Sequence, residues 1–333
     1  MVLQRRIVMR GLFLAVACLG LGVPATSALA QVPAGYPSKS IRFVVPYAPG
    51  GLPDTVARVI AQRLQDRIGQ SVIVENRPGA NGAVAAAAMS NSPPDGYTFL
   101  VTDGSMFSIN PKIYAKLDYN PSKDFVPVAL IARAPLFLAA VPNLPASSLK
   151  DLVAYAKANP GKVNYGSSGL GSTHHLTMEA IKSEYKLDMV HVPFKGTGQS
   201  VPAVVSNQVS AVFSAFPSLA GFVKENKLKL IAVNSKERSS LAPEIATIAE
   251  TSIPGFDFAP SIGVWGPAGL PAGLAEKIAA DVADALKDPA MKERLHVLGI
   301  DAVGLGPQAF TEQLAADRVR YKQAVEVARA KAD

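Results

Sequence analysis

The sequence predicts an α/β protein with a mostly parallel sheet, divided into two lobes around a cleft. Three observations carry this. Short runs rich in Val, Ile, Phe and Leu alternate with amphipathic helical stretches. The chain of 333 residues is long enough to build two proper cores. The apolar run Val126–Val141 is unusually long and is broken at Arg133-Ala134-Pro135, as a strand passing from one lobe to the other would be.

The first thirty residues read as an export signal rather than as part of the fold. Arg5, Arg6 and Arg10 precede the apolar run Gly11–Val23, and Ala28-Leu29-Ala30 forms a small-x-small cleavage pattern. Cleavage near Ala30 places the mature chain in the periplasm. Cys18 lies within the signal, where Ala15-Val16-Ala17-Cys18 resembles a lipoprotein box only loosely. The apolar run is short for a membrane span and no later stretch is long and apolar enough, so a soluble mature protein is expected.

The first strand is Ile41–Val45. The loop Pro46–Gly51 follows it, then a helix from near Pro53 with Val56, Val59, Ile60, Leu64 and Ile68 on one face and Gly69 as its stop. Ser71–Glu75 is the next strand. The turn cluster Asn76–Gly82 opens an alanine-rich helix, Ala83–Ser90, and Pro93-Pro94-Asp95-Gly96 turns the chain into the strand Tyr97–Thr102. The loop Asp103-Gly104-Ser105 then lies at the carboxyl end of a strand, the side on which open α/β sheets bind ligands.

The middle third repeats the scheme. A helix near Ser148–Ala158 and a strand Val163–Tyr165 lead into the loop Gly166–Thr173, and a helix with Leu176, Ala180 and Ile181 on one face follows, with Ser172 or Thr173 as its N-cap. Strands Met189–Val192, Val209–Phe213 and Leu228–Val233 complete the set. Beyond the strand Ile262–Trp265 the pattern turns helical: Pro271–Leu286, Pro289–Leu298 and Pro307–Ala332, with a short strand near Asp301–Val303. Each of those helices opens on proline, a favoured first-turn residue.

Composition excludes much chemistry. The chain has one cysteine, and cleavage after Ala30 removes it, which rules out disulfides, thiolate catalysis and cysteine-bound metals in the mature protein. Without the three signal arginines the 33 Lys+Arg fall to 30 against 26 acids, a diffuse +4 with no basic block of the kind that marks a nucleic-acid surface. No zinc-protease, Walker, nucleophile-elbow or calcium-loop motif is present, so neither a metal nor a cofactor is expected. The pair His174-His175 projects about 100° apart on a helix and does not easily share a metal. His175 reads as a satisfied structural histidine, while His174 falls in the first turn of a helix at a candidate ligand loop. Lys195 is the one cation in a candidate loop, and it reads equally as a surface lysine or a ligand contact.

What remains are two glycine-rich loops, each opening a helix whose free N–H groups suit a small anion. A dinucleotide site is the weaker reading, because Gly166-Ser167-Ser168-Gly169-Leu170-Gly171 runs in the reverse order of the phosphate fingerprint and Asp188 precedes its strand. A further alternative is an exported hydrolase of carboxylate esters or amides built on Ser168 and His174, for which the sequence shows no third partner. Aromatic and apolar residues at the loop edges, Tyr47, Met106, Phe194, Phe213 and Phe216, suit an apolar or ring-bearing ligand.

Several motifs resemble one family closely. They are Tyr36-Pro37-x-Lys39-x-Ile41, Val45-Pro46-Tyr47-x-Pro49-Gly50-Gly51-x-x-Asp54-x-x-Ala57-Arg58, Val74-Glu75-Asn76-Arg77-Pro78-Gly79-Ala80-x-Gly82, Asn110-Pro111-x-x-Tyr114, Tyr165-Gly166-Ser167-x-Gly169-x-Gly171-Ser172-x-His174 and Val192-Pro193-Phe194-Lys195-Gly196. Across essentially the whole mature chain the sequence resembles the Bug family, the extracytoplasmic solute receptors of tripartite tricarboxylate transporters. The resemblance implies a type II periplasmic binding protein, a monomer that closes on a small carboxylate and hands it to membrane permease subunits. It implies lobe 1 at residues 36–131 and 258–333 and lobe 2 at 132–257. Carried over by position, Tyr47, Gly50, Gly51, Leu52, Pro53, Asp54, Ser105 and Met106 supply one lobe's contacts. Ser168, Ser172, Thr173, His174, Lys195, Gly196, Ser214 and Ala215 supply the other's. Leu52 and Pro53 stand where many members have small polar residues, and Val204 and Asn207 stand where an Asp and a Gly are common. Both departures favour a mono- or dicarboxylate with an apolar or aromatic body.

Overall fold

Two sheets organise the chain, and it passes between them twice. The computed structural model describes residues 32–47, 49–79 and 82–329; the export signal, its cleavage site and Cys18 lie outside the described residues. In chain order the elements are β1 (Ile41–Val45), α1 (Leu52–Ile68), β2 (Val72–Asn76), α2 (Ala83–Ser90), β3 (Thr98–Asp103), α3 (Ser105–Ser108), α4 (Asn110–Ile113), β4 (Phe125–Arg133) and β5 (Leu136–Ala140). There follow α5 (Leu149–Ala158), β6 (Asn164–Ser167), α6 (Thr173–Tyr185), β7 (Val190–Pro193), α7 (Thr197–Val205), β8 (Ala211–Ala215), α8 (Phe216–Lys224), β9 (Lys229–Val233) and α9 (Ile248–Thr251). The chain ends with β10 (Ser261–Pro267), α10 (Ala272–Ala285), α11 (Pro289–Val297), β11 (Asp301–Leu305) and α12 (Pro307–Ala328).

The first sheet has the order β11-β4-β10-β3-β1-β2 and the second β7-β6-β8-β5-β9. β1 runs parallel to β2 and β3, while β10 inserts antiparallel between β3 and β4. In the second sheet β6 is parallel to β7 and β8, and β5 is antiparallel to β8 and β9. The inner parallel strands β1 and β3 are buried on both faces along most of their length and are correspondingly apolar, while the edge strands β2 and β7 are partly exposed. Ile41, Phe43 and Val45 face α1 and α10 through Val56, Ile60, Leu64 and Ile278, whereas Val44 and Leu100 join Met89, Trp265 and Phe310 on the opposite face. Trp265 is fully buried between Phe107, stacked at 4.4 Å, and Phe310 at 4.9 Å.

The apolar run Val126–Val141 forms β4 and β5, one in each sheet, and Ala134 and Pro135 make the passage. Phe256–Pro260 makes the return. Asn234, fully buried, stitches the two passages: its side chain accepts from the Leu136 N–H at 2.8 Å and donates to the Phe258 carbonyl at 3.0 Å. Beside them Asp257 accepts two bonds from Arg133 and pairs with Arg320 of α12 at 3.2 Å. α12 lies across both sheets' cores, with Phe310 and Leu314 in one and Tyr321, Ala324 and Val325 in the other. Two short helices, α3 and α4, and the longer α8 occupy segments to which the sequence pattern assigned no helix. α7 carries Pro202 in its interior, where it removes one backbone donor.

Candidate functional site

A cavity of about 370 Å³ opens between the sheets, at the carboxyl ends of β1, β3 and β6. Tyr47, Leu52, Asp103, Ser105, Ile109, Asn110 and Ile113 line it from one side. Ser168, Leu170, Gly171, Ser172, Thr173 and His174 line it from the other, and Pro260 of the return passage closes the back. The position follows from topology, since parallel strands leave their loops on one side of the sheet.

On the β6 side the loop is held from within. Ser172 caps α6, accepting from the His175 N–H at 3.3 Å and donating to the Gly169 carbonyl at 2.7 Å. The opening turn of α6, with the orphan N–H groups every helix start carries, therefore borders the cavity beside the Ser168 and Thr173 hydroxyls. Ser168 Oγ lies 2.6 Å from His174 Nδ1. Burial lowers the His174 imidazole to a pKa of about 4, so it stands neutral at the cavity wall. Gly171 takes a left-handed φ of +73° and donates its N–H to His175 Nδ1 at 3.1 Å. His175 is thus the satisfied histidine expected from the sequence, stacked at 4.0 Å on His191, whose Nε2 meets Ser167 Oγ at 2.7 Å.

Burial depresses these imidazoles below the ordinary value of 6.5: His175 in direction, His191 to about 4. A histidine held neutral in the fold but free to protonate when unfolded makes the unfolded state bind more protons between the two values. Stability contributed this way is present above pH 6.5 and is lost as the pH falls toward 4. We expect the melting temperature to fall across that window, and a His191→Gln chain to show a visibly flatter decline; a profile flat from 6.5 to 4 would contradict the assignment.

On the β1 side the Tyr47 hydroxyl sits 3.2 Å from Ser105 Oγ, and Asp103 accepts the Ser105 N–H at 2.8 Å. Burial, then the neighbouring Asp103, pushes the Tyr47 hydroxyl well above its usual value and keeps it a donor. Burial likewise raises the Asp103 carboxyl, against the hydrogen bonds from Ser105 and Tyr47 that lower it.

The structure therefore brings Tyr47, Leu52, Ser105, Ser168, Ser172, Thr173 and His174 together and moves other expected residues away. Asp54 does not line the cavity: its carboxylate is 2% exposed and accepts from the Gly50 N–H at 2.9 Å, Arg58 Nε at 3.0 Å and Asn76 Nδ2 at 2.8 Å. Burial opposes that charge, yet these bonds hold the carboxyl below the usual range. An acid of its own therefore stands in the first turn of α1, and Pro53, buried, removes one of that turn's N–H groups. Gly50 and Asp54 border a separate groove against α11. Gly51 has φ −70°, open to any residue; Gly50, at +84°, is the left-handed one. Met106 is fully buried in the core near Trp265. Lys195 is exposed and Gly196 half-buried at the start of α7, Ser214 is buried in β8, and Ala215 follows it; none of the four lines the cavity. Asp103, Ile109, Asn110, Ile113, Leu170, Gly171 and Pro260 are lining residues not named from the sequence, although the loop Asp103-Gly104-Ser105 pointed to the first and the loop Gly166–Thr173 to Leu170 and Gly171.

Two α/β lobes joined by two passages, with loops from both facing one cavity, define a bilobal ligand-binding protein. The chain belongs to the tripartite tricarboxylate transporter family receptors, whose family model, TctC, matches residues 56–329. It is 31% identical to the protein BugT of Bordetella pertussis over 96% of this chain and 95% of that one. Among solved structures it is similar to Rpa4515 of R. palustris with adipate, at 31% identity and a TM-score of 0.76 over 89% of this chain and 99% of that one. It is also similar to MatC of Rhodopseudomonas palustris with bound malate, at 30% identity and a TM-score of 0.71 over 87% of this chain and 100% of that one.

Proposed function

We propose that this protein is a periplasmic receptor that captures a small organic carboxylate between its lobes and delivers it to the membrane permease subunits of a tripartite transporter. The observation that carries the reading is the α6 opening turn, with the hydroxyls of Ser168 and Thr173, on one wall of a cavity whose lining, among the described residues, holds no lysine or arginine. Such a site holds a carboxylate by N–H and O–H donors and lets the two lobes close on it. Carboxylates bound in two similar structures support the ligand class. The export signal supports the compartment, and the family supports the permease partner and a non-catalytic role. We take the working unit to be a monomer.

A thermal-shift panel of carboxylates tests this. At ligand near 100 times Kd the protein gains roughly 2.7 kcal/mol, a rise of several degrees. No shift with any carboxylate would sink the reading. The Ser168–His174 contact favours a second reading, an exported ester or amide hydrolase, since it pairs a nucleophile with a base. Turnover of a model ester that is lost in a Ser168→Ala chain would establish it in place of the first.

A further inference from the structure

The charge balance of the cavity is one-sided. Among the described residues that line it Asp103 is the sole acid, there is no lysine or arginine, and His174 is neutral. Asp103 ends β3, fixed by the Ser105 N–H at 2.8 Å, with the Tyr47 and Ser105 hydroxyls bonded to the same carboxyl. The facing wall, the α6 turn with Ser168 and Thr173, presents donors to an anion. The two walls therefore have opposite polarity. A ligand carrying an anion at both ends would bring one of them against Asp103 with no cation to offset it. A ligand with a cation at that end completes the arrangement and offsets the burial that raises the Asp103 carboxyl. Between the walls Leu52, Ile109, Ile113 and Leu170 supply apolar surface for the ligand's body.

We propose that Asp103 sets the specificity of this cavity, selecting a zwitterionic ligand whose carboxylate meets the α6 turn and whose ammonium group pairs with Asp103. The assignment rests on the carboxylate-receptor reading and narrows it, replacing a dicarboxylate by an amino-carboxylate as the preferred class.

Calorimetric titration of the mature protein tests it, with two series as probes: α- and ω-amino monocarboxylates, and dicarboxylates of matching chain length. The expected result is that the best amino-carboxylate binds at least ten-fold more tightly than the dicarboxylate of its length. An Asp103→Asn chain weakens the amino-carboxylate at least ten-fold and leaves the dicarboxylate unchanged or tighter. Dicarboxylates preferred by the unaltered protein overturn the proposal, as does an unchanged preference in a folded Asp103→Asn chain. If that variant fails to fold, the preference of the unaltered protein decides alone. Failure of both series to bind overturns the receptor reading itself, an outcome distinct from dicarboxylate preference.

Discussion

An Asp257→Ala chain is expected to lose about 3–5 kcal/mol of folding free energy, with a melting temperature lower by on the order of 10 °C. Asp257 sits on the return passage, 7% exposed, and accepts from Arg133 at 2.7 and 2.6 Å while pairing with Arg320 at 3.2 Å. Arg133 also donates to the Ala259 carbonyl, and Arg320 bonds Asp317 at 2.6 Å. One carboxylate thus answers two guanidinium groups that are about four-fifths buried. Removing it leaves Arg133 with a carbonyl and Arg320 with Asp317, so net positive charge stays buried, which is why truncating one partner costs more than the intact pair contributes. Asp257→Asn keeps an acceptor and should cost less. Calorimetric unfolding of both chains is the check, and a loss below about 1 kcal/mol in the alanine chain would show that water or rearrangement replaces the carboxylate.

The second large effect concerns binding. Gly171→Val is expected to weaken carboxylate affinity about 100-fold, equivalent to roughly 2.7 kcal/mol, in a chain that still folds. Two costs combine at this residue. Its φ of +73° is a conformation that a β-branched side chain adopts only under strain. An added Cβ would also lie 2.8 Å from Ile113 Cδ1 on the opposite wall, so that side-chain tip must shift and the larger valine takes up space in the cavity. Titration calorimetry reads the loss directly, and trimming Ile113 to alanine in the same chain should recover part of it. A folded Gly171→Val chain with unaltered affinity would move the ligand out of this cavity. Gly51→Val is the instructive contrast, because its backbone already has a conformation any residue adopts.

Much of the architecture was legible because it depends on local signals. Alternating apolar runs marked most strands, proline marked the starts of α11 and α12, and the break at Arg133-Ala134-Pro135 marked the passage between β4 and β5. Ser172 as a cap was legible for the same reason, since a hydroxyl before an apolar-periodic helix meets the orphan N–H groups a few residues on. What escaped depends on partners distant in sequence. Asp54 read as part of a ligand loop until Asn76 and the Gly50 N–H were seen to consume its carboxylate. Asp103 read as a turn residue because nothing nearby in sequence shows that Tyr47 folds against it. α8 was hidden by the Pro217 that in fact occupies its first turn. The stack of His175 on His191 joins a helix to a strand and leaves no periodic trace.

The place of β10 in the first sheet separates the order in which this chain is made from the order in which it can be assembled. β3 and β4 flank β10 and pair through it, so their facing edges stay open until residues 261–267 exist. By then the whole of the second sheet, which draws its strands from one unbroken stretch, β5 to β9, is available. The part begun first is finished last, and an unfinished chain carries exposed strand edges on β3 and β4 of the kind that invite pairing with other chains.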